Sequence, residues 1–568
     1  MNWLEQARVL AKLGRWGLSM LRHDTRHPSP VPDNPRFLSP LEAAERIPDR
    51  AVVAVAGLGG TQRASIMYWA IREAFEAGGH PRGLTLINLG GHGGRGMAPG
   101  TMEELGQPGL CTRFVTSHFE TFHAMLDLAE AGRCELQCIP LGIIALLYDA
   151  LQRGSDTFVT DTGIGTFLDP RVGRGSPVGS RRAQQLVEVV GDRLRYRMPR
   201  IDVALFNVPA ADRHGNLYAT NAANIGDSYE IARAAKRNGG LVIANVGLLV
   251  DKGHDDIFLP ARQVDAVVYY PDTEQMAGFF HREPWLAVTP NAAVPVGDAL
   301  AHARFVNRLA GLTARRSAVD EAVVRLAADT LATQVRKGSR VSIGTGLPED
   351  VPRVFFERGR VGDLTFLVES GALGGVPASG VFFGTAFSPD AIVSPAELFK
   401  LSYRRLDAAC LGALQVDAEG NVNVSKRGDG VRGYVGPGGF IDFAEAAKTI
   451  VFVCSWMVRG AMSVRNGTVR IARRGAPKFV DRVDEVTFNG PRALKAGKRV
   501  FYATPVGLFR LTGRGVELVR VMPGIDVYRD IIDFTPMPVA LPAGDRVPLV
   551  ARSIVTGQGF RVRVGTRK

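Results

Sequence analysis

In LTFLVESGALGGVPASG an apolar run delivers Glu369 into Ser370-Gly371, with Gly374-Gly375 following. The run reads as a strand, so one carboxylate is expected at a strand end beside exposed backbone N–H groups. Apolar neighbours strip water from a carboxylate, raise its pKa and leave it under-solvated unless it pairs. In that state it is a nucleophile toward an acyl carbon, and fixed N–H donors nearby hold the oxyanion that develops. A Glu that caps a helix or pairs with an arginine fits the same stretch, and the local sequence leaves both readings open.

Other chemistry-bearing patterns are weaker. GHGGRG places Gly91, Gly93 and Gly96 at GxGxxG spacing after a strand, but no acidic residue closes a second strand about 20 residues later. In a chain with 65 glycines the loop reads as a backbone turn, not a nicotinamide site. His118 and His123 in SHFETFH fall on different helix faces, and neither HExxH nor a Cys/His ligand set is present, so no metal is expected. Ser379 in VPASG lacks the preceding glycine of a serine-hydrolase elbow. Cys111, Cys134, Cys138, Cys410 and Cys454 form no CxxC and read as buried thiols.

The 568 residues, 46% hydrophobic and 22% charged, suit an enzyme with more than one core. The formal charge of +13 comes from Arg and Lys scattered without an aromatic-interleaved basic block, so nucleic acid is not expected. A polyanionic small molecule accounts for the charge equally well. No apolar run approaches the roughly 20 residues of a membrane-spanning helix, and the first residues lack a signal peptide's apolar stretch, so a cytoplasmic protein is expected.

The elements that must position Glu369 follow an alternating grammar. Residues 2–21 space Trp3, Leu4, Ala7, Val9, Leu10, Leu13, Trp16, Leu18 and Leu21 as a basic amphipathic helix. That helix can pack on its own domain, on a second subunit, or on a membrane surface. HPSPVPDNPRFLSP then reads as an extended linker. From Ala51 the pattern is strand, Gly-rich turn, helix, and it restarts at Ser317, a helix N-cap ahead of AVDEAVVRLAADTLATQV. Asp202, Asp212, Gly215 and Asn216 recur at one fixed offset as Asp407, Asp417, Gly420 and Asn421, an internal repeat. The expected fold is α/β, with two related open α/β/α domains and a cleft between them. The expected division is 1–45 helix and linker, 46–285 first domain, 286–316 linker, 317–540 second domain and 541–568 basic tail.

GTFLDPR, NVPAADRHGNLY, GTGLPEDV, VESGALGGVP, LGALQVDAEGNVNVSK, GPGGFIDF and FVDRVDEVTFNGPRAL followed by PGID together resemble the family I CoA-transferases, in particular the single-chain acetate and propionate CoA-transferase type in which two homologous halves are fused. The resemblance spans about Ala51 to Ile532. It implies that Glu369 is the catalytic glutamate that becomes a glutamyl-CoA thioester, and that Gly438 and Gly439 support the oxyanion. It further implies that Gly344 and Gly346 lie near the CoA and acyl site, faced across the cleft by the loop of Gly57, Gly59 and Gly60. Substrates would be an acyl-CoA and a carboxylic acid, with no permanently bound cofactor and an assembly of identical subunits.

Two departures bear on the substrate. Members usually carry Pro-Gln-Gly where this chain has Pro140-Leu141-Gly142, and Leu141 has no side-chain donor. Tyr403, Arg404 and Arg405 replace a Gly-rich run before Asp407, which sets Arg404 and Arg405 as expected acyl-pocket residues. A thioester or ring-opening hydrolase on the same fold and a non-catalytic CoA-binding protein are the rival expectations.

Overall fold

A computed structural model describes residues 3–59, 61–93, 99–179, 183–251, 256–275, 282–311, 315–544 and 546–565. The strand-turn-helix grammar folds into one large sheet in each half. The first half orders parallel strands Ala266–Tyr269, Leu241–Val250, Val203–Asp212, Val52–Leu58 and Leu84–Gly90, then continues with Cys111–Thr116 and Glu135–Cys138. The second half repeats the first five of these places with Arg499–Thr504, Thr449–Val453, Ala408–Gly412, Ser339–Ile343 and Leu364–Leu367, again parallel. Antiparallel strands extend both of its edges, Ala372–Leu373 on the side that carries Glu369.

The repeated residues hold equivalent places in the two sheets. Asp202 accepts the N–H of Val52 at 2.9 Å, and Asp407 accepts that of Arg340 at 3.1 Å, each at the start of the neighbouring strand. Asp212 accepts from the backbone and side chain of Asn216 at 3.0 and 2.8 Å, and Asp417 accepts from those of Asn421 at 3.0 and 3.1 Å. The conserved spacing is therefore a turn that satisfies its own polar groups inside the fold.

One hydrophobic core runs through both halves. Helix Leu141–Gln152 of the first half is buried along nearly its whole length and packs against helix Pro395–Arg405 of the second. Ser317 caps helix Ala318–Gln334 in a reciprocal box with Asp320.

Three segments are more ordered than expected. The stretch around Pro28 to Pro35 keeps its prolines at the surface but is pinned by buried Val31 within it and, just beyond it, by buried Phe37 and by Leu38, which donates to the carbonyl of Val267. The segment expected as a linker contains helix Val296–Ala310, which buries Ala299, Ala303 and Val306 and is closed by Gly311 in the left-handed region. Its Pro and Ala content suggested a connector, but small residues at helical spacing build a packing face. The C-terminal residues fold back on helix Ala318–Gln334, where Arg325 donates to the carbonyls of Ile554 and Val555 at 2.7 and 2.9 Å.

Candidate active site

Strand Leu364–Leu367 carries the chain into a tight turn, in which the N–H of Gly371 meets the carbonyl of Val368 at 2.9 Å. Glu369 stands on this turn, between the strand and its antiparallel neighbour Ala372–Leu373. The turn demands glycine at 371: φ is 112°, and a Cβ there would come within 1.8 Å of the Val393 carbonyl oxygen. Ser370, fully buried, anchors the turn by donating to the carbonyl of Gly384. Glu369 is thus fixed at the carboxyl end of a parallel strand, where open α/β sheets place their ligand sites.

The carboxylate meets the loop Val435–Gly439, and the N–H of Gly439 donates to Glu369 Oε2 at 3.2 Å. A Cβ at Gly439 would lie 2.6 Å from that oxygen, so only glycine allows this approach. The loop belongs to the second half but rests on a strand end of the first: Gly438 N–H reaches the Ser117 carbonyl at 2.9 Å, and Phe119 N–H reaches the Val435 carbonyl at 2.7 Å. Leu141 N–H donates to the Gly438 carbonyl at 3.0 Å. Glu369 keeps part of its surface open, while the protein around it pushes its carboxyl up to about 7; removal of water dominates, and the Gly439 N–H acts against it.

Sequence reasoning missed a second carboxyl. Asp442 lies on the first turn of helix Phe440–Ala446, fully buried, and accepts the N–H of Gly142 at 2.9 Å and the hydroxyl of Tyr403 at 3.0 Å. Tyr403 in turn meets Thr162 at 2.9 Å. Burial raises Asp442 to about 7, its two donors oppose this, and the charge of Glu369 raises it further. The available signal was an acid inside the apolar run FIDF, directly after GPGG.

The remaining expected residues divide. The side chain of Leu141 is buried in the core beside the Gly438 contact. Gly57 and Gly59 sit at the end of strand Val52–Leu58 with φ of 104° and 64°, and a Cβ at Gly59 would come within 2.9 Å of the Phe383 carbonyl oxygen, one residue from the Gly384 that holds Ser370. Gly60 and Gly96 lie outside the described residues. Gly344 and Gly346 form the loop after Ser339–Ile343, the strand beside that of Glu369. Here Glu349 accepts from Gly346 N–H at 2.9 Å and Gly380 N–H at 3.1 Å, and burial raises it to about 7. Next to this loop opens a cavity of about 680 Å³ whose lining includes Arg304, Arg308, Arg315, Arg316 and Arg353.

Gly374 does not present its amide to Glu369 as expected. Gly374 and Gly375 turn the chain between two short strands, and the Gly374 N–H is taken by the Phe366 carbonyl at 2.8 Å. Arg404 and Arg405 are exposed in the last turn of helix Pro395–Arg405. Adjacent helical residues point about 100° apart, so when Tyr403 faces Asp442 the two arginines turn away. All five cysteines are free and buried, and burial raises Cys138 to about 12 and Cys454 to about 11.

Residues 186–292 match the family model described as the malonate decarboxylase alpha subunit, transporter. Caffeate CoA-transferase of Acetobacterium woodii is 32% identical over 88% of this chain and 94% of its own. Acetate CoA-transferase YdiF of Escherichia coli O157:H7 is 29% identical over 88% of this chain and 92% of its own. The crystal structure of the E. coli O157:H7 acyl-CoA transferase YdiF as a thioester complex with CoA superposes with a TM-score of 0.79 at 26% identity, covering 94% of this chain and 99% of that one. With the repeated sheets, these likenesses establish that the chain belongs to the family I CoA-transferases, in the single-chain form with two fused halves, and that it is an enzyme transferring CoA.

Proposed function

We propose that this enzyme moves CoA from an acyl-CoA to a carboxylic acid by a ping-pong reaction through a thioester on Glu369. The observation that carries the reading is the half-open, poorly hydrated carboxylate of Glu369 with the Gly439 N–H on one oxygen. Ionised Glu369 attacks the acyl-CoA carbonyl, and CoA leaves as its thiolate, giving an acyl-glutamyl anhydride. The thiolate then attacks the glutamyl carbonyl, forming glutamyl-CoA and freeing the donor acid. The acceptor carboxylate attacks that thioester and expels the thiolate, which attacks the acyl carbonyl of the new anhydride; this forms the product acyl-CoA and restores Glu369. The Gly439 N–H is placed to hold the oxygen that gains charge when the glutamyl carbonyl is attacked. Thioester energy is retained throughout, so the reaction as written needs no metal or other cofactor. That a YdiF structure is described as a thioester complex with CoA supports the intermediate here.

The CoA tail is read as running past Gly344 and Gly346 to the arginine-lined cavity. Arg304, Arg316 and Arg353 there pair with Glu357, Asp350 and Glu321, whereas Arg308 and Arg315 pair with no carboxylate among the described residues and suit phosphate groups. The acceptor is read as larger than acetate, because the apolar Leu141 replaces the usual Gln; the name of the caffeate relative is consistent with a bulky acid.

The test is to incubate the enzyme with acyl-CoA without acceptor, treat it with borohydride and map the peptide carrying Glu369. Reduction of Glu369 only after acyl-CoA supports the mechanism. Equal labelling with and without acyl-CoA, or steady release of free CoA with no modified Glu369, refutes it; the second outcome marks a hydrolase.

A further inference from the structure

Helix Trp3–Leu21 carries two apolar faces, and the fold occupies one of them. Val9 and Met20 are buried, and Leu13 and Trp16 pack against the core. Trp16 Nε1 donates to Glu274 Oε1 at 2.6 Å, and Glu274 is itself buried against Arg63 at 2.7 Å. These contacts fix the helix and its rotation.

At 100° per residue the opposite side presents Trp3, Ala7, Leu10, Gly14, Leu18 and Leu21. Trp3 is 75% exposed, Leu10 50%, Leu18 56% and Leu21 78%, with Leu4 at 56% beside them. A Cβ added at Gly14 or Gly17 would meet nothing within 4 Å, so this side is open along its length. Arg8, Lys12 and Arg15, all exposed, line one edge of the stripe, and Arg22 follows its end; Glu5 is the lone acid of the helix.

An apolar stripe with a cationic border and a tryptophan at one end matches the boundary between lipid headgroups and acyl chains. We propose that this face lies on a membrane surface containing anionic lipids, with the leucines and Trp3 at headgroup depth and the basic edge on lipid phosphates. Each basic residue near such a surface adds attraction, and the chain's charge of +13 adds to it. Charge argues against a second copy as occupant: a two-fold pairing of this face would bring two copies of the same basic edge to one interface. The enzyme would then work beside a membrane and accept acids or acyl-CoAs that partition there. This inference does not depend on the thioester mechanism.

The test is co-sedimentation of the full-length enzyme with vesicles of phosphatidylcholine alone or mixed with phosphatidylglycerol. Two variants accompany it, Leu10→Ser/Leu18→Ser/Leu21→Ser and Arg8→Gln/Lys12→Gln/Arg15→Gln. The wild type should bind mixed vesicles about tenfold or more better than neutral ones, more weakly as salt rises, and each variant should lose about tenfold or more of that binding. Transfer with water-soluble substrates should be unchanged in both, which shows that they are folded. Wild-type protein left in the supernatant at low salt, or the leucine variant binding as the wild type does, overturns the proposal. So does a fall in molar mass of the leucine variant by light scattering, which would make the face a contact between copies.

Discussion

Asp442 of the second half accepts the backbone N–H of Gly142 of the first at 2.9 Å, tying the start of helix Leu141–Gln152 to the helix that follows Gly439. The same carboxyl takes the Tyr403 hydroxyl, so one buried group joins helix Leu141–Gln152 of the first half to helix Pro395–Arg405 of the second. Asp442→Ala should leave the buried Gly142 N–H unsatisfied, at about 1–3 kcal/mol, with the Tyr403 hydroxyl left to Thr162 alone, and the variant should be less stable. Asp442→Asn keeps an acceptor and should fold, with kcat down about tenfold and KM for CoA little changed, since 0.5 Å of misplacement at the nucleophile is felt mainly in the chemical step. Melting curves with single-turnover kinetics check both; Asp442→Asn with wild-type kcat would reduce Asp442 to a core residue.

For the nucleophile, Glu369→Ala should abolish transfer and leave the fold intact, because the side chain is on a turn held by Ser370 and Gly371. Glu369→Asp withdraws the carboxylate by one methylene, away from the Gly439 N–H, and should cost about 100-fold or more. Steady-state assays beside circular dichroism check this, and transfer by the alanine variant near the wild-type rate would sink the mechanism.

Gly439→Ala tests the proposed oxyanion role of the Gly439 N–H separately. Its Cβ would fall 2.6 Å from Glu369 Oε2 and 3.2 Å from Phe443, so loop and carboxylate must part. The expected loss in kcat is about 100- to 1,000-fold, as for removal of one preorganised donor. A Gly439→Ala enzyme that still accumulates the thioester but turns it over slowly would place the loss in the second half-reaction.

Two pH effects follow from the buried acids. On the proposed mechanism Glu369 reacts ionised, so kcat/KM should rise with pH through about 7. The charge of Glu369 raises Asp442, so Glu369→Gln should lower the pH at which Asp442 ionises. Stability runs the other way. Glu369, Asp442 and Glu349 at about 7 and Asp227 at about 8 hold protons in the folded state that the unfolded chain has already released. Their contribution is complete below the unfolded carboxyl range near 4 and is lost as pH rises to 7–8. Tm measured from pH 5 to 8 should therefore fall from these groups, and Glu369→Gln should flatten the fall.

Much of this was legible in the chain. The repeated Asp-Asn turns and the alternation of strand and helix depend on neighbours in sequence, so local pattern carries them. The stretch around Glu369 left a capping or arginine-paired glutamate open, and it was the resemblance carried by motifs along the whole chain that singled this residue out. Asp442 and the hydroxyl of Tyr403 were not legible, because their meaning lies in hydrogen bonds to Gly142 and Thr162, distant in the chain and without periodicity. Arg404 and Arg405 were misplaced for the converse reason: chain position put them near the pocket, and helical rotation took them to the surface.

The acceptor acid gives the last prediction. Leu141 is buried beside the Gly438 carbonyl contact and offers no donor, while Tyr403 is engaged by Asp442 and Thr162. On the proposed reading an acetate carboxylate beside Glu369 meets the Gly439 N–H, and its methyl offers little carbon to bury. An aromatic or medium-chain acid has more carbon to bury, and each added methylene is worth about 0.8 kcal/mol when fully buried. With Arg404 and Arg405 in solvent, a second carboxylate has no cation there, so dicarboxylic acids should be poor acceptors. Relative kcat/KM for acetate, a medium-chain acid, an aromatic acid and a dicarboxylic acid, in wild type and Leu141→Gln, decides the matter. Leu141→Gln should narrow the gap in favour of acetate; a wild-type preference for acetate that the substitution leaves unmoved would remove Leu141 from the account of specificity.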